Sequence, residues 1–225
     1  MKFKQNLTHV VQRQMFSRLN TASLINGFTY NFSIYGIMYF LSIYFQESLY
    51  LSSLETGIQF LPLTVSAMLI SSFLSPILVN KLGTTLTQQL CLFAIIGGSI
   101  LLCIYFGISA VALPSFITIS FILLGFSGAI APVLMNAAFL STNEKYHNEI
   151  SSLVNLLRQM GSILGVMIVS IMLDLFINEN AILYFLLLTM LIPFMAYFYL
   201  VWANKLETKP FEYVDQMESS HVSKD

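Results

Sequence analysis

The sequence predicts an all-α, polytopic membrane protein: six transmembrane helices in one bundle, with both termini on the cytoplasmic side. Three observations carry this. Of 225 residues, 56% are hydrophobic and only 9% charged, whereas soluble domains carry roughly a quarter charged residues. The apolar residues fall into six runs of roughly 20–27 residues, each enough to cross a hydrocarbon core of about 30 Å at 1.5 Å per residue. The ten Lys and Arg residues are also unevenly placed. They occur in the lead, between the second and third runs, between the fourth and fifth or just inside the fifth, and in the tail. The remaining connections hold only Glu47, Glu55 and Glu179, so the positive-inside rule fixes the orientation.

Residues 1–22 form a cytoplasmic lead with Lys2, Lys4, Arg13 and Arg18. A polar, basic start followed by a run of full spanning length is not a cleavable signal, so the first helix is expected to insert the chain. That helix covers about 23–45 and ends in the aromatic belt Tyr44-Phe45, followed by Gln46-Glu47. The second, about 57–79, holds Pro62 and Pro76, and the third, about 89–108, is almost purely apolar around Gly97-Gly98. The fourth, about 113–139, opens on Pro114 and contains Gly125, Gly128 and Pro132; the sixth, about 181–203, ends in Tyr197, Tyr199 and Trp202. Residues 204–225 are a charged cytoplasmic tail, expected to be disordered.

The fifth helix, about 151–176, is the unusual one. It keeps Asn155, Arg158 and Gln159 well inside an apolar run, and an arginine at a membrane centre costs roughly 2.5–3.5 kcal/mol on insertion scales. At 100° per residue Ser151, Asn155, Gln159 and Ser162 share a face, while Gly161 and Gly165 form a small-xxx-small surface for close helix approach. Such a helix packs into a bundle and does not stand alone in lipid. Arg158 has two readings: it snorkels to the cytoplasmic interface, or it is buried against carbonyls or an acid.

Several stretches resemble the fourteen-helix drug:proton antiporters of the major facilitator superfamily. Asn155-Leu-Leu-Arg158-Gln159-Met-Gly161, with Gly165 following, is similar to the N-x-x-R-Q-x-G segment of that group's penultimate helix. Tyr44-Phe45-Gln46, then Leu54-Glu55-Thr56-Gly57 and Leu61-Pro62, resembles its Y-x-Q…L-x-A-G…L-P junction. Asn80-Lys81-Leu-Gly83 resembles the D-R-x-G core of the superfamily's cytoplasmic loop motif, although Pro76 stands at the leading glycine and Thr84-Thr85 replace the basic pair. Gly125-x-x-Gly128-x-x-x-Pro132 fits the glycine-rich fourth helix. The resemblance covers about residues 10–203 and implies the carboxy-terminal half of a transporter, a 3+3 inverted repeat. It further implies that the first and fourth helices line the cavity while the third and sixth face lipid.

The residues expected at a substrate cavity are Asn26, Tyr30, Ser33, Phe40, Asn136, Asn155 and Gln159, an aromatic and weakly polar set suited to apolar substrates. For the first helix, plain interhelical packing is the competing reading. Structural or gating roles fall to Arg158, Gly161, Gly165, Asn80, Lys81 and Gly83. Asp174 lies two residues from its helix end and reads as interfacial, leaving no acid at any helix centre. Gly125-Phe126-Ser127-Gly128 matches the G-x-S-G of intramembrane serine proteases, but no helix offers the histidine that chemistry needs, so the protein is not expected to be an enzyme. His9, His147 and His221 lie outside the membrane; Cys91 and Cys103 are about 18 Å apart along one helix, too far for a disulfide. No cofactor or metal is expected, and no basic stripe suggests nucleic acid.

The expected activity is half of a transporter in the cell membrane, exporting small amphipathic or drug-like compounds by proton-coupled alternating access. The alternative is a non-transporting six-helix membrane protein, a truncated product or an accessory subunit. The expected partners are the lipid bilayer, a small-molecule substrate, and a second six-helix bundle, either another copy or a separately encoded amino-terminal half.

Overall fold

A computed structural model describes residues 18–107, 114–140, 142, 144–175 and 180–207. Every regular element among them is helical. Helix α1 (Arg18–Ile43) continues through a π turn (Tyr44–Ser48) as a first rod. Tyr50, in the left-handed region at φ +55°, turns the chain toward α2 (Ser53–Gln59). A capping box sets the start of α2: the Glu55 amide donates to the Ser52 hydroxyl at 3.3 Å, and the Ser52 amide donates to the Glu55 carboxylate at 2.8 Å. Next come α3 (Leu61–Leu69), with Pro62 in its first turn, a π turn (Ile70–Leu74), and α4 (Ser75–Gly107).

Taken as one helix, Leu61–Gly107 would be 47 residues, about 70 Å and more than twice a hydrocarbon core. Gly83 divides it. Its φ of +82° and ψ of 169° lie where a Cβ is not tolerated, so the second rod ends there and a third begins. The fourth rod is α5 (Pro114–Phe126), a 3₁₀ turn (Ser127–Ala129) and α6 (Ile130–Leu140); the fifth is α7 (His147–Leu175), and the sixth α8 (Asn180–Glu207). Helices run past most of the apolar bounds expected from sequence, because hydropathy marks only the apolar part of a helix that continues into polar residues. Residues 1–17 of the lead and 208–225 of the tail lie outside the described residues.

Side-chain contacts give the rods their directions. Phe28 meets Gly161 and Phe32 meets Gly165, so the first and fifth run parallel. Phe32 meets Phe185 while Ala22 packs with Leu200 and Ala203, so the sixth is antiparallel to the first. Asn26 reaches Gln88 and Tyr44 reaches Phe106, making the third parallel to the first. Phe60–Phe121 and Ala67–Gly128 make the second and fourth parallel. Leu92 and Ile95 pack with Ile130 and Leu134, and Leu102 packs with Ile117, setting third against fourth. The rods therefore alternate in direction. Arg18, Gly83, Thr142 and Glu207 come to one end of the bundle, where the Arg18 guanidinium sits 5.4 Å over the Trp202 ring.

Among the described residues, four helical stretches are long and apolar enough to cross a membrane: Leu61–Gly107, Ser115–Leu140, Glu144–Leu175 and Leu183–Lys205. The first of these contains two rods. The first rod falls short in hydropathy because Asn20, Ser23, Asn26, Thr29, Asn31 and Ser33 all lie within it, each at most 4% exposed. Packing between rods relies on glycine at the closest crossings. A Cβ on Gly161 or Gly165 would stand 2.3 Å from the carbonyl oxygen of Phe28 or Phe32, so the two backbones touch directly. Gly97 and Gly98 mark another crossing, on the inner side of the third rod. They receive Leu123 and Leu124 of the fourth rod.

Candidate functional site

The polar side chains divide into two populations. The first lies inside the bundle. Asn26 donates to the Gln88 carbonyl oxygen at 2.7 Å, and Gln88 donates to Ser23 at 3.1 Å. Thr189 donates to Ser99 at 3.1 Å, and Ser120 donates to the Gly98 carbonyl at 2.8 Å. These bonds join the first rod to the third, the third to the sixth and the third to the fourth, where unpaired polar groups would be costly. Asn26 and Ser33 are completely buried here, so two of the residues expected at a cavity face the bundle interior. Tyr30 is half-buried. Phe40 belongs to an aromatic cluster at the other end, T-stacked on Phe106 with Tyr44 alongside. The sequence showed that this helix face is polar; it could not show that Gln88, just ahead of the third apolar run, is the group it meets.

The second population is on the surface, and the fifth rod carries part of it inside its apolar stretch. Only 17% of the apolar stretch of Glu144–Leu175 is buried, against 61% for Ser115–Leu140. Around α7 the exposed residues separate into two stripes. Leu156, Met160, Ile163, Met167 and Ile171 form an apolar one. Beside it, within about 60° of arc at 100° per residue, lie the exposed Ser152, Asn155 and Gln159 and the half-buried Ser170, with the buried Ser162 next to them. Asn155, Gln159 and Asn136 of the fourth rod are all exposed.

The polar stripe borders a groove of about 560 Å³ between the first and fifth rods. Its walls are Tyr35 and Tyr39 on one side and Ser162, Ile163, Val166, Met167, Ser170 and Ile171 on the other. No charged side chain lines it. Two phenols, two hydroxyls, a thioether and branched aliphatics can hold an amphipathic molecule by apolar contact plus one or two hydrogen bonds. Sequence reasoning missed Tyr35, Tyr39 and Ser170. Their spacing, four apart on α1 and matched by Ser162-Val166-Ser170 on α7, was visible, but the register between the two rods was not.

The remaining residues of interest lie at one end or in the core. Asn80 and Lys81 are exposed beside the Gly83 break. Gly161 and Gly165 sit at the backbone crossing already described. Arg158 is half-buried: its stem packs beside Gly27 and its backbone carbonyl accepts from Asn31 at 2.9 Å. Asp174 is exposed near the end of α7. Ser127 of the G-x-S-G run is buried and gives its hydroxyl to the Leu124 carbonyl, while the flanking Gly125 and Gly128 receive Ser66 and Ala67 of the second rod. That geometry is helix packing.

The family model for the Major Facilitator Superfamily matches residues 2–166, well over half of the chain. No curated protein matches it.

Proposed function

The chain belongs to the major facilitator superfamily, a family of membrane transporters, and we propose that it is one six-helix half of an efflux transporter of the drug:proton antiporter group. On this reading all six rods cross the cell membrane, and the end holding Arg18, Lys81, Lys145 and Lys205 faces the cytoplasm. The observation that carries the proposal is the fifth rod. It is the least buried of the long apolar helices, yet it presents the amides of Asn155 and Gln159 outward. Lipid offers those groups no hydrogen bonds. They are satisfied when a second six-helix bundle, a copy or a separately encoded amino-terminal half, closes over this face and leaves a wet cavity between. The Tyr35/Tyr39 groove then forms part of the wall against which an amphipathic, drug-like substrate is held during alternating access. Between their ends the third and sixth rods expose large apolar side chains such as Leu90, Phe93, Leu187 and Phe194, which suits lipid.

Two measurements test this. With Cys91 and Cys103 replaced, Ser52→Cys should react with an impermeant thiol reagent on intact cells and Thr85→Cys should not; the reverse pattern refutes the orientation. Proteoliposomes holding the chain with its partner bundle should move a fluorescent efflux substrate, and Tyr35→Ala/Tyr39→Ala should slow transport several-fold at unchanged protein level. Transport by a purified monomer, or indifference to both tyrosines, would refute the site.

A further inference from the structure

The first and sixth rods leave an open seam that ends in a cation. The Arg18 guanidinium stands 5.4 Å from the Trp202 ring centroid, and Phe32 meets Phe185 further along. Halfway between these contacts Ile25 comes level with Met195. Arg18 and Ile25, seven residues apart, lie on one line of α1, and Trp202 and Met195, also seven apart, lie on one line of α8. All four are exposed, Ile25 at 37%, Trp202 at 51% and Met195 at 63%. Alongside, Ala22 packs on Leu200 and Ala203, which holds the two rods together. The seam runs about 10 Å, apolar along its length and cationic at the end of the bundle. Tyr199 lies 5.7 Å from Trp202, supporting the indole. The cation–π contact leaves the guanidinium's N–H donors for another acceptor. Among the described residues no side chain or carbonyl accepts from them, and no carboxylate pairs with Arg18. Lys205, exposed three residues beyond Trp202, adds a second positive charge at the same end.

We propose that this seam binds a phospholipid with a net anionic headgroup. The lipid phosphate accepts charge-assisted hydrogen bonds from the Arg18 fork, and Lys205 adds the attraction of a basic residue for an anionic surface. Trp202 occupies the membrane–water boundary, where its ring is favoured. One acyl chain lies along Ile25, Met195 and the exposed Phe198. A cation at the boundary with apolar surface below it matches the way a lipid stands in its leaflet, so the ligand binds without leaving the bilayer. A soluble phosphate would gain nothing from the apolar length. The inference rests on the rods crossing a bilayer, and not on efflux, on the partner bundle or on which end faces the cytoplasm.

Trp202 is the chain's one tryptophan, so its fluorescence reads the seam directly. The test uses the full chain in vesicles that mix phosphatidylglycerol with phosphatidylcholine, bromine on the acyl chains of one lipid at a time serving as the quencher. Brominated phosphatidylglycerol should quench Trp202 beyond its share of the bilayer, a preference of roughly fivefold over phosphatidylcholine at low salt. That preference should shrink as ionic strength rises. Arg18→Gln should bring the two quenching curves together, with brominated phosphatidylcholine still quenching. Arg18→Lys, which keeps the charge without the planar fork, should fall between. Equal quenching by the two lipids in the unsubstituted protein would overturn the proposal and leave the membrane reading intact. So would a preference that survives Arg18→Gln. Quenching by neither lipid would place Trp202 away from the bilayer and overturn the membrane placement of the sixth rod together with the site.

Discussion

Substituting alanine at Gly161 tests the backbone crossing on which the fifth rod depends. The new Cβ would stand 2.3 Å from the Phe28 carbonyl oxygen and 3.0 Å from its carbonyl carbon. Reaching an ordinary contact of 3.4 Å requires the first and fifth rods to part by about 1 Å, since the obstacle is helix backbone with no rotamer to change. Overpacking of this kind costs about 1–3 kcal/mol. The same movement stretches the bond from Asn31 to the Arg158 carbonyl, now 2.9 Å, past hydrogen-bond range, adding about 1 kcal/mol. A total of about 3 kcal/mol follows, and more for leucine. Gly98→Ala meets Leu124 Cγ at 2.6 Å and the Ser120 carbonyl oxygen at 3.3 Å; its tightest contact is a side chain, which yields more readily than helix backbone, so a smaller cost of about 1–2 kcal/mol is expected. Gly57→Ala meets nothing within 4 Å and should stabilise the protein by roughly 0.5–1 kcal/mol through the helix preference of alanine. Unfolding of the purified variants in mixed micelles by denaturing detergent gives the three values. Gly161→Ala as stable as Gly57→Ala, or less harmful than Gly98→Ala, would refute the argument.

Three further outcomes are expected. Gly83→Ala forces a Cβ into φ +82°, ψ 169° and should destabilise by about 1–3 kcal/mol despite open space around it; a neutral change in unfolding temperature would contradict that. Gln88→Leu leaves the Asn26 amide buried and unpaired, at about 1–3 kcal/mol. The double variant Asn26→Leu/Gln88→Leu should recover part of that loss in a double-mutant cycle, and strict additivity would mean the bond at 2.7 Å contributes nothing. Glu55 is held below the usual carboxylate range by the Ser52 amide, then by the Ser52 hydroxyl. Its contribution to the capping box is therefore complete above the ordinary glutamate pKa and is lost as pH falls through its lowered value. Glu55→Gln should flatten that acid limb in a pH series of unfolding temperatures.

Where the helices lie could be read in part from hydropathy, because bilayer thickness sets the length of an apolar run. The helices from Ser53 to Gly107 and from Pro114 to Glu207 sit on the apolar runs seen in the sequence, and Gly161 and Gly165 fall at a close helix crossing as their spacing suggested. Tertiary structure decided which way each polar face turns. Asn26 and Ser33 look like cavity-lining groups when α1 is read by itself, but they turn inward onto Gln88 and the core. Tyr35 and Tyr39, two turns along a less polar side, border the open groove. The physical reason is that periodicity gives the angle between residues on one helix and says nothing of that helix's rotation against its neighbours. Here the rotation is set by how closely Gly161 and Gly165 let the fifth rod approach Phe28 and Phe32. The same contact leaves the Arg158 stem beside Gly27, a juxtaposition of residues 131 positions apart that no local pattern encodes.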